Sequence, residues 1–113
     1  MKVSQSAILS DELTKQAKHV GACFARLRVA RGIKQDVAAV RAGLSRNTAY
    51  RLESGDPGVA VGQLLRYLEA IAPGMTLQEL LAQTDPSLSV LEVKERTRRV
   101  RDLGSKELRE LDF

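Results

Sequence analysis

Tryptophan is missing from this sequence, phenylalanine and tyrosine occur twice each, and one cysteine and one histidine are found among 113 residues. Each scarcity excludes something. With aromatics at 4%, the interior has to be filled by Leu, Val, Ile and Ala, which suits small helices packed closely together. A single cysteine cannot form an internal disulfide, and Cys23 falls among Val20, Phe24 and Leu27, where it reads as a buried, inert thiol. His19 has no second Cys or His near it, so the spacing of a metal site is lacking. Neither a signal-peptide pattern nor an apolar run of about eighteen residues occurs, which predicts a cytoplasmic chain that does not span a membrane. There is no phosphate-cradling glycine loop and no histidine placed beside a nucleophile, so neither an enzyme nor a cofactor is expected.

What remains is basic. The length predicts one domain with a short extension, and the net charge is +4 with a pI near 9.6. The excess is local: Arg26, Arg28, Arg31, Lys34, Arg41, Arg46 and Arg51 crowd one stretch against the single carboxylate Asp36, whereas the last thirty residues balance. A field of that kind attracts phosphates and speeds association with them.

Inside the same stretch, Ile33 to Gly55 reads as a helix, a glycine turn and a second helix with Arg46, Asn47, Thr48 and Arg51 pointing outward. Gly43 supplies the positive φ of a sharp turn, and Ser45 is placed to cap the second helix near Thr48. Val37, Ala38, Val40, Leu44, Ala49 and Leu52 are expected to face inward from two short helices crossing steeply. A helix presented in this way can lie in the DNA major groove, where Arg46 and Asn47 in its first turn would meet base edges.

Leu27, Arg28, Gly32, Ile33, Gln35, Val37, Ala38, Gly43, Leu44, Ser45, Ala49, Leu52, Glu53 and Gly55 together resemble the motif of the Xre and phage-repressor (Cro/CI) type of helix-turn-helix regulator. The likeness spans about Val20 to Leu81. It implies an all-α, five-helix repressor-like bundle, with Arg28 and Glu53 as the pair tying the first helix to the end of the reading helix. It also implies that Gln35 contacts phosphate and buttresses that helix. The expected DNA-facing set is Gln35, Ser45, Arg46, Asn47, Thr48, Tyr50 and Arg51, with Tyr50 divided between packing and phosphate contact. Lys34 departs from the pattern, standing where a capping Thr is usual, and Ala49 is smaller than the usual Ile or Val.

Along the chain, Met1 to Leu9 reads as a polar lead-in, loose or paired as a short strand. Ser10-Asp11-Glu12 starts a helix that runs to Gly32 and is longer than the resemblance calls for; the extra turns from Asp11 to His19 are expected to serve a dimer or cap the core. Ser54 to Gly58 is a loop of turn formers. Val61, Leu64, Leu65, Leu68 and Ile71 mark a fourth helix ended by Pro73-Gly74, and the capping box Thr76-Leu77-Gln78-Glu79 opens a fifth. After Asp85-Pro86 the pattern is ambiguous: Leu88, Val90 and Val93 fit a strand, while Leu91, Val100 and Leu103 fit a charged helix broken at Gly104. The run Lys94, Arg96, Arg98, Arg99, Arg101, interleaved with Glu92, Glu95 and Asp102, reads as a salt-bridged solvent face rather than a phosphate contact.

The expected organisation is an N-terminal extension over 1–19, a DNA-binding domain over 20–83 and a C-terminal extension over 84–113 for dimerisation. The leading function is a homodimeric transcriptional repressor on double-stranded DNA, because one short helix reads few base pairs and two-fold pairing doubles the site. The alternative comes from Glu53 to Val59 followed by Gly62-Gln63-Leu64-Leu65, which resembles antitoxins that bind DNA and neutralise a HipA-type kinase toxin.

Overall fold

The computed structural model describes residues 4–111, with side chains as far as Asp102. Every element is a helix: α1 (Gln5–Ile8), α2 (Asp11–Ala30), α3 (Gln35–Ala42), α4 (Arg46–Glu53), α5 (Val61–Ile71), α6 (Leu77–Ala82) and α7 (Pro86–Leu111). Helices α2 to α6 are the expected bundle with its long first helix. The described residues of the lead-in form the single turn α1 and pair with no strand.

The boundaries follow from caps. Ser10 Oγ accepts from the Leu13 N–H at 3.2 Å, with Asp11 and Glu12 in the first turn of α2 against the positive end of its dipole. Gly32 ends that helix at φ +70°. Lys34 makes no capping bond to α3; Asp36 Oδ1 accepts from Val37 N–H at 2.9 Å instead. Gln63 reaches back to the Ala60 N–H at the start of α5. Thr76 and Glu79 form both bonds of a capping box on α6. Asp85 stands ahead of Pro86 and accepts from the backbone N–H and the hydroxyl of Ser87, an arrangement suited to a helix start with proline in its first turn.

That start carries α7 through the whole ambiguous region. The helix is continuous from Pro86 to Leu111, so Leu88, Val90 and Val93 are helical and Gly104 does not break it. An interior glycine costs a helix only about 1 kcal/mol, and no proline follows Pro86 to stop the chain. Leu103 lies outside the residues whose side chains are described. The root of α7 is fastened to α2 twice: Arg31 Nη2 donates to Asp85 Oδ1 at 2.8 Å, and Arg26 reaches Glu95 at 3.3 and 3.4 Å. Leu88 and Leu91 are half-buried between these pairs.

The core combines large and small residues from different helices. Phe24, Leu27, Leu52, Tyr67, Leu68 and Ile71 are the largest fully buried side chains, and Ala38, Ala39, Ala42 and Ala49 fill the gaps between them. The expected inward face of α3 is therefore corrected. Val40 is 78% exposed and Val37 is also exposed. The alanine stripe turns inward because the large side chains from α2, α4 and α5 already occupy the interior, leaving α3 room only for methyl groups. Leu44 is half-buried. Cys23 is buried, its thiol pKa is raised by that burial, and its Sγ lies 3.6 Å from His19 Nε2.

The tightest approach joins α2 to the end of α4. A Cβ built on Gly21 would lie 2.5 Å from Gly55 N and 2.7 Å from the carbonyl oxygens of Leu52 and Glu53; one on Gly55 would lie 2.4 Å from Lys18 Cα. Backbone meets backbone here, so the turns of α2 ahead of His19 support the end of α4, while Leu13 stays exposed. Replacing a helical glycine by alanine ordinarily stabilises by about 1 kcal/mol, but overpacking against rigid backbone costs about 1–3 kcal/mol. Gly21→Ala is expected to lower the unfolding free energy by up to about 2 kcal/mol on balance, measured by urea titration under circular dichroism. Gly62→Ala, with nothing within 4 Å of its added Cβ, is expected to leave stability unchanged or slightly raised.

Candidate nucleic-acid interface

The presentation of α4 begins at the turn before it. Gly43 adopts φ +67°, Leu44 N–H bonds back to Ala39 O at 2.9 Å, and Arg66 on α5 caps the open end of α3 through Ala42 O at 3.1 Å and Gly43 O at 2.7 Å. Ser45 Oγ accepts from Thr48 N–H at 3.1 Å and donates to Thr48 Oγ1 at 2.9 Å. Both hydroxyls thus serve the helix start, and Thr48 keeps its own O–H to donate.

Ala49 and Leu52 root α4 in the core. Successive residues turn by about 100°, so Arg46, Tyr50, Ser54, Asn47 and Arg51 fall on the opposite arc. Arg46, Asn47 and Tyr50 are exposed. Arg46 makes only a 4.0 Å approach to Asp36, both side chains being open to solvent. Arg51 is held: its Nε donates to Asp56 Oδ2 at 2.7 Å, while Asp56 Oδ1 accepts from Gly58 N–H. The bond from Arg51, then that from Gly58, holds the Asp56 carboxyl below its ordinary pKa. Gln35 sits half-buried at the first position of α3.

The far end of α4 is fixed by a charge network. Arg28 Nε and Nη2 donate to the two carboxylate oxygens of Glu53 at 2.6 and 3.0 Å, and its Nη1 donates to Ile33 O at 2.8 Å. Tyr67 adds its hydroxyl to Glu53 Oε2, a member that the residue pattern did not point to; its position among the core leucines of α5 was the available signal. The hydrogen bond to Glu53 raises the Arg28 pKa, and burial, then the bond to Glu53, raises that of Tyr67.

The basic crowd is smaller in space than in sequence. Arg26 meets Glu95, Arg28 meets Glu53, Arg31 meets Asp85 and Arg51 meets Asp56, carboxylates that lie beyond the end of the stretch counted as unbalanced. Among the described residues neither Lys34 nor Arg41 has an ion pair, and with Arg46 they make the open cations beside the turn.

Compared with protein families, residues 19–80 match the model of a helix-turn-helix domain. The chain belongs to the helix-turn-helix domain family. The matched stretch is more than half of the 113 residues and takes in the second half of α2 through most of α6, with α3 and α4 as the two helices that name the family. No curated protein and no solved structure matches the chain. Membership makes it a DNA-binding regulator, a non-enzymatic class in general. Among the described residues no helix is long and apolar enough to cross a membrane, and no cluster of His, Cys, Asp and Glu has the arrangement of a metal site.

Two outcomes follow for the helix-turn-helix domain. Glu53→Ala leaves the largely covered Arg28 without its counter-charge and is expected to cost about 3 kcal/mol, read as a fall in the urea midpoint. Because the folded state raises the Tyr67 pKa above the ordinary 10.0, it retains a proton that the unfolded chain gives up. Stability is therefore full below that pH and declines above it. Tyr67→Phe is expected to flatten this alkaline decline, checked by melts across the alkaline range.

Proposed function

We propose that the chain is a sequence-specific transcriptional regulator of the Xre and phage-repressor type, acting as a homodimeric repressor that occupies an inverted-repeat operator. The observation carrying this reading is the solvent-facing arc of α4, with Arg46 and Asn47 in its first turn and both ends of the helix fastened to the bundle. Arg matches the O6 and N7 of guanine and Asn the N6 and N7 of adenine, so these two residues read bases in the major groove. Gln35, Ser45, Thr48, Tyr50 and Arg51 take the flanking backbone: Gln35 from the start of α3, Thr48 through its free O–H, Tyr50 through its exposed hydroxyl, and Arg51 through the guanidinium nitrogens that Asp56 leaves open. Residues 20–83 form the DNA-binding domain, 1–19 a preceding extension and 84–113 a dimerisation segment.

Selection from a random DNA pool tests the reading. Arg46→Ala and Asn47→Ala are each expected to lose about 1–3 kcal/mol at one base position of the selected site, with other positions unchanged; equal affinity of parent and variants would remove α4 as the reading helix.

Salt gives a second measurement. Seven neutralised phosphates would give a log–log slope of about −6 per copy, whereas the three cations assigned to the backbone or left open beside it, Lys34, Arg41 and Arg51, give about −3. The shallower slope is expected, and Arg26→Ala or Arg31→Ala, which touch α7, should leave it unchanged.

A further inference from the structure

Arg46 and Arg51 both stand on the open arc of α4, but only Arg51 has its posture set by the protein. It lies one helical turn, about 6 Å along the axis, beyond Asn47 on the same side of α4, and its side chain is 41% exposed. Asp56 grips it. One carboxylate oxygen, Oδ2, accepts from Arg51 Nε at 2.7 Å, while the other, Oδ1, accepts from Gly58 N–H at 2.8 Å. These two bonds hold the Asp56 pKa low and so keep the group ionised. A Cβ built on Gly58 would lie 3.3 Å from Arg51 Nη2, which brings the loop backbone against the same edge of the guanidinium. Nη1, on the far side of the planar fork, has no hydrogen-bond partner among the described residues.

The loop keeps its shape without that side chain. Gly55 N–H bonds to Leu52 O at 3.1 Å and Asp56 N–H to Arg51 O at 2.9 Å, and Gly55 meets α2 backbone to backbone. An ion pair this open to solvent adds little to stability. What Asp56 changes is Arg51 itself. A free arginine side chain samples many rotamers and loses them when it takes up a ligand, whereas one held in place has lost them already on folding.

The geometry points to Asp56 as a positioning residue for DNA, holding Arg51 so that its Nη1 edge meets a backbone phosphate beside the reading turn of α4. The inference rests on the reading of α4 given above and adds to it a residue that need not touch DNA. A carboxylate near the phosphates also repels them, and size decides between the two effects. Across the guanidinium, Asp56 would stand about 8 Å from the phosphate, a Debye length at physiological salt, where one charge in water alters affinity by less than about twofold. Fixing a rotamer-rich side chain beforehand is worth about three- to tenfold. Holding therefore outweighs repulsion, and because phosphates carry no sequence information, the gain is the same on any duplex.

The test is a fluorescence-anisotropy titration of the full chain at physiological salt, on the selected operator and on a random-sequence duplex, with a melting curve for each variant. Asp56→Ala and Asp56→Asn are each expected to bind both duplexes about three- to tenfold more weakly, although each removes a negative charge, with melting unchanged. Asp56→Asn keeps an acceptor for Gly58 N–H, so it separates the grip on Arg51 from the loop and decides the matter if the alanine disturbs folding. In an Arg51→Ala background neither substitution is expected to weaken binding further. Equal or tighter binding by the single variants, a loss confined to the operator, or an undiminished loss without Arg51 overturns the inference. If Arg46→Ala weakens operator binding and the Asp56 variants do not, the reading of α4 stands and only the role of Asp56 falls. A parent chain that binds neither duplex sinks both.

Discussion

Arg28 sits in the last turns of α2, Glu53 at the end of α4 and Tyr67 in the middle of α5, and the three meet in one nearly buried network that also takes in the carbonyl of Ile33. Three helices and the loop into α3 thus share a single set of bonds. Removing two charges from water costs about as much as their attraction returns, so the gain is largely one of geometry: the fork of Arg28 fits the carboxylate in one orientation, and that orientation sets where α4 ends. The start of α4 is set independently by Ser45 and by the turn that Arg66 holds shut.

Close approach is the second constraint, and it is met with small residues. Gly21 and Gly55 allow α2 to touch the end of α4 backbone to backbone, and Ala38, Ala39 and Ala42 let α3 settle on the large side chains of α5 and α4. Aromatic content so low is consistent with this packing: the two rings that matter, Phe24 and Tyr67, pack tilted to one another at 6.1 Å between centroids.

Much of this was legible in the residues. Ser10, Gly43, Ser45, Thr76 with Glu79, and Pro73-Gly74 act within a few positions of themselves, so local chemistry identifies them. Three features were not legible, and each depends on distance in the fold. Val37 and Val40 look as apolar as their alanine neighbours, and only the bulk arriving from α2, α4 and α5 decides which stripe turns in. Beyond the expected pair of Arg28 with Glu53, the cations Arg51, Arg31 and Arg26 find Asp56, Asp85 and Glu95, partners that counting along the stretch does not include. Tyr67 reads as one more core residue, because a hydroxyl's partner is a matter of tertiary contact. Continuity of α7 through Gly104 was missed for a different reason, since one glycine is a weaker helix breaker than its reputation in turns suggests.

The residues that hold α4 in place and the residues on its open arc are separate sets. Ala49, Leu52, Glu53 and Ser45 fasten the helix, whereas Arg46, Asn47 and Tyr50 lend the bundle nothing but one exposed 4.0 Å approach to Asp36. Exchanges on that arc leave folding intact. On the proposed reading of α4, descendants of this chain can therefore trade one preferred sequence for another by single steps, without passing through an unfolded intermediate, and a library confined to those three positions would explore new targets on an undisturbed scaffold.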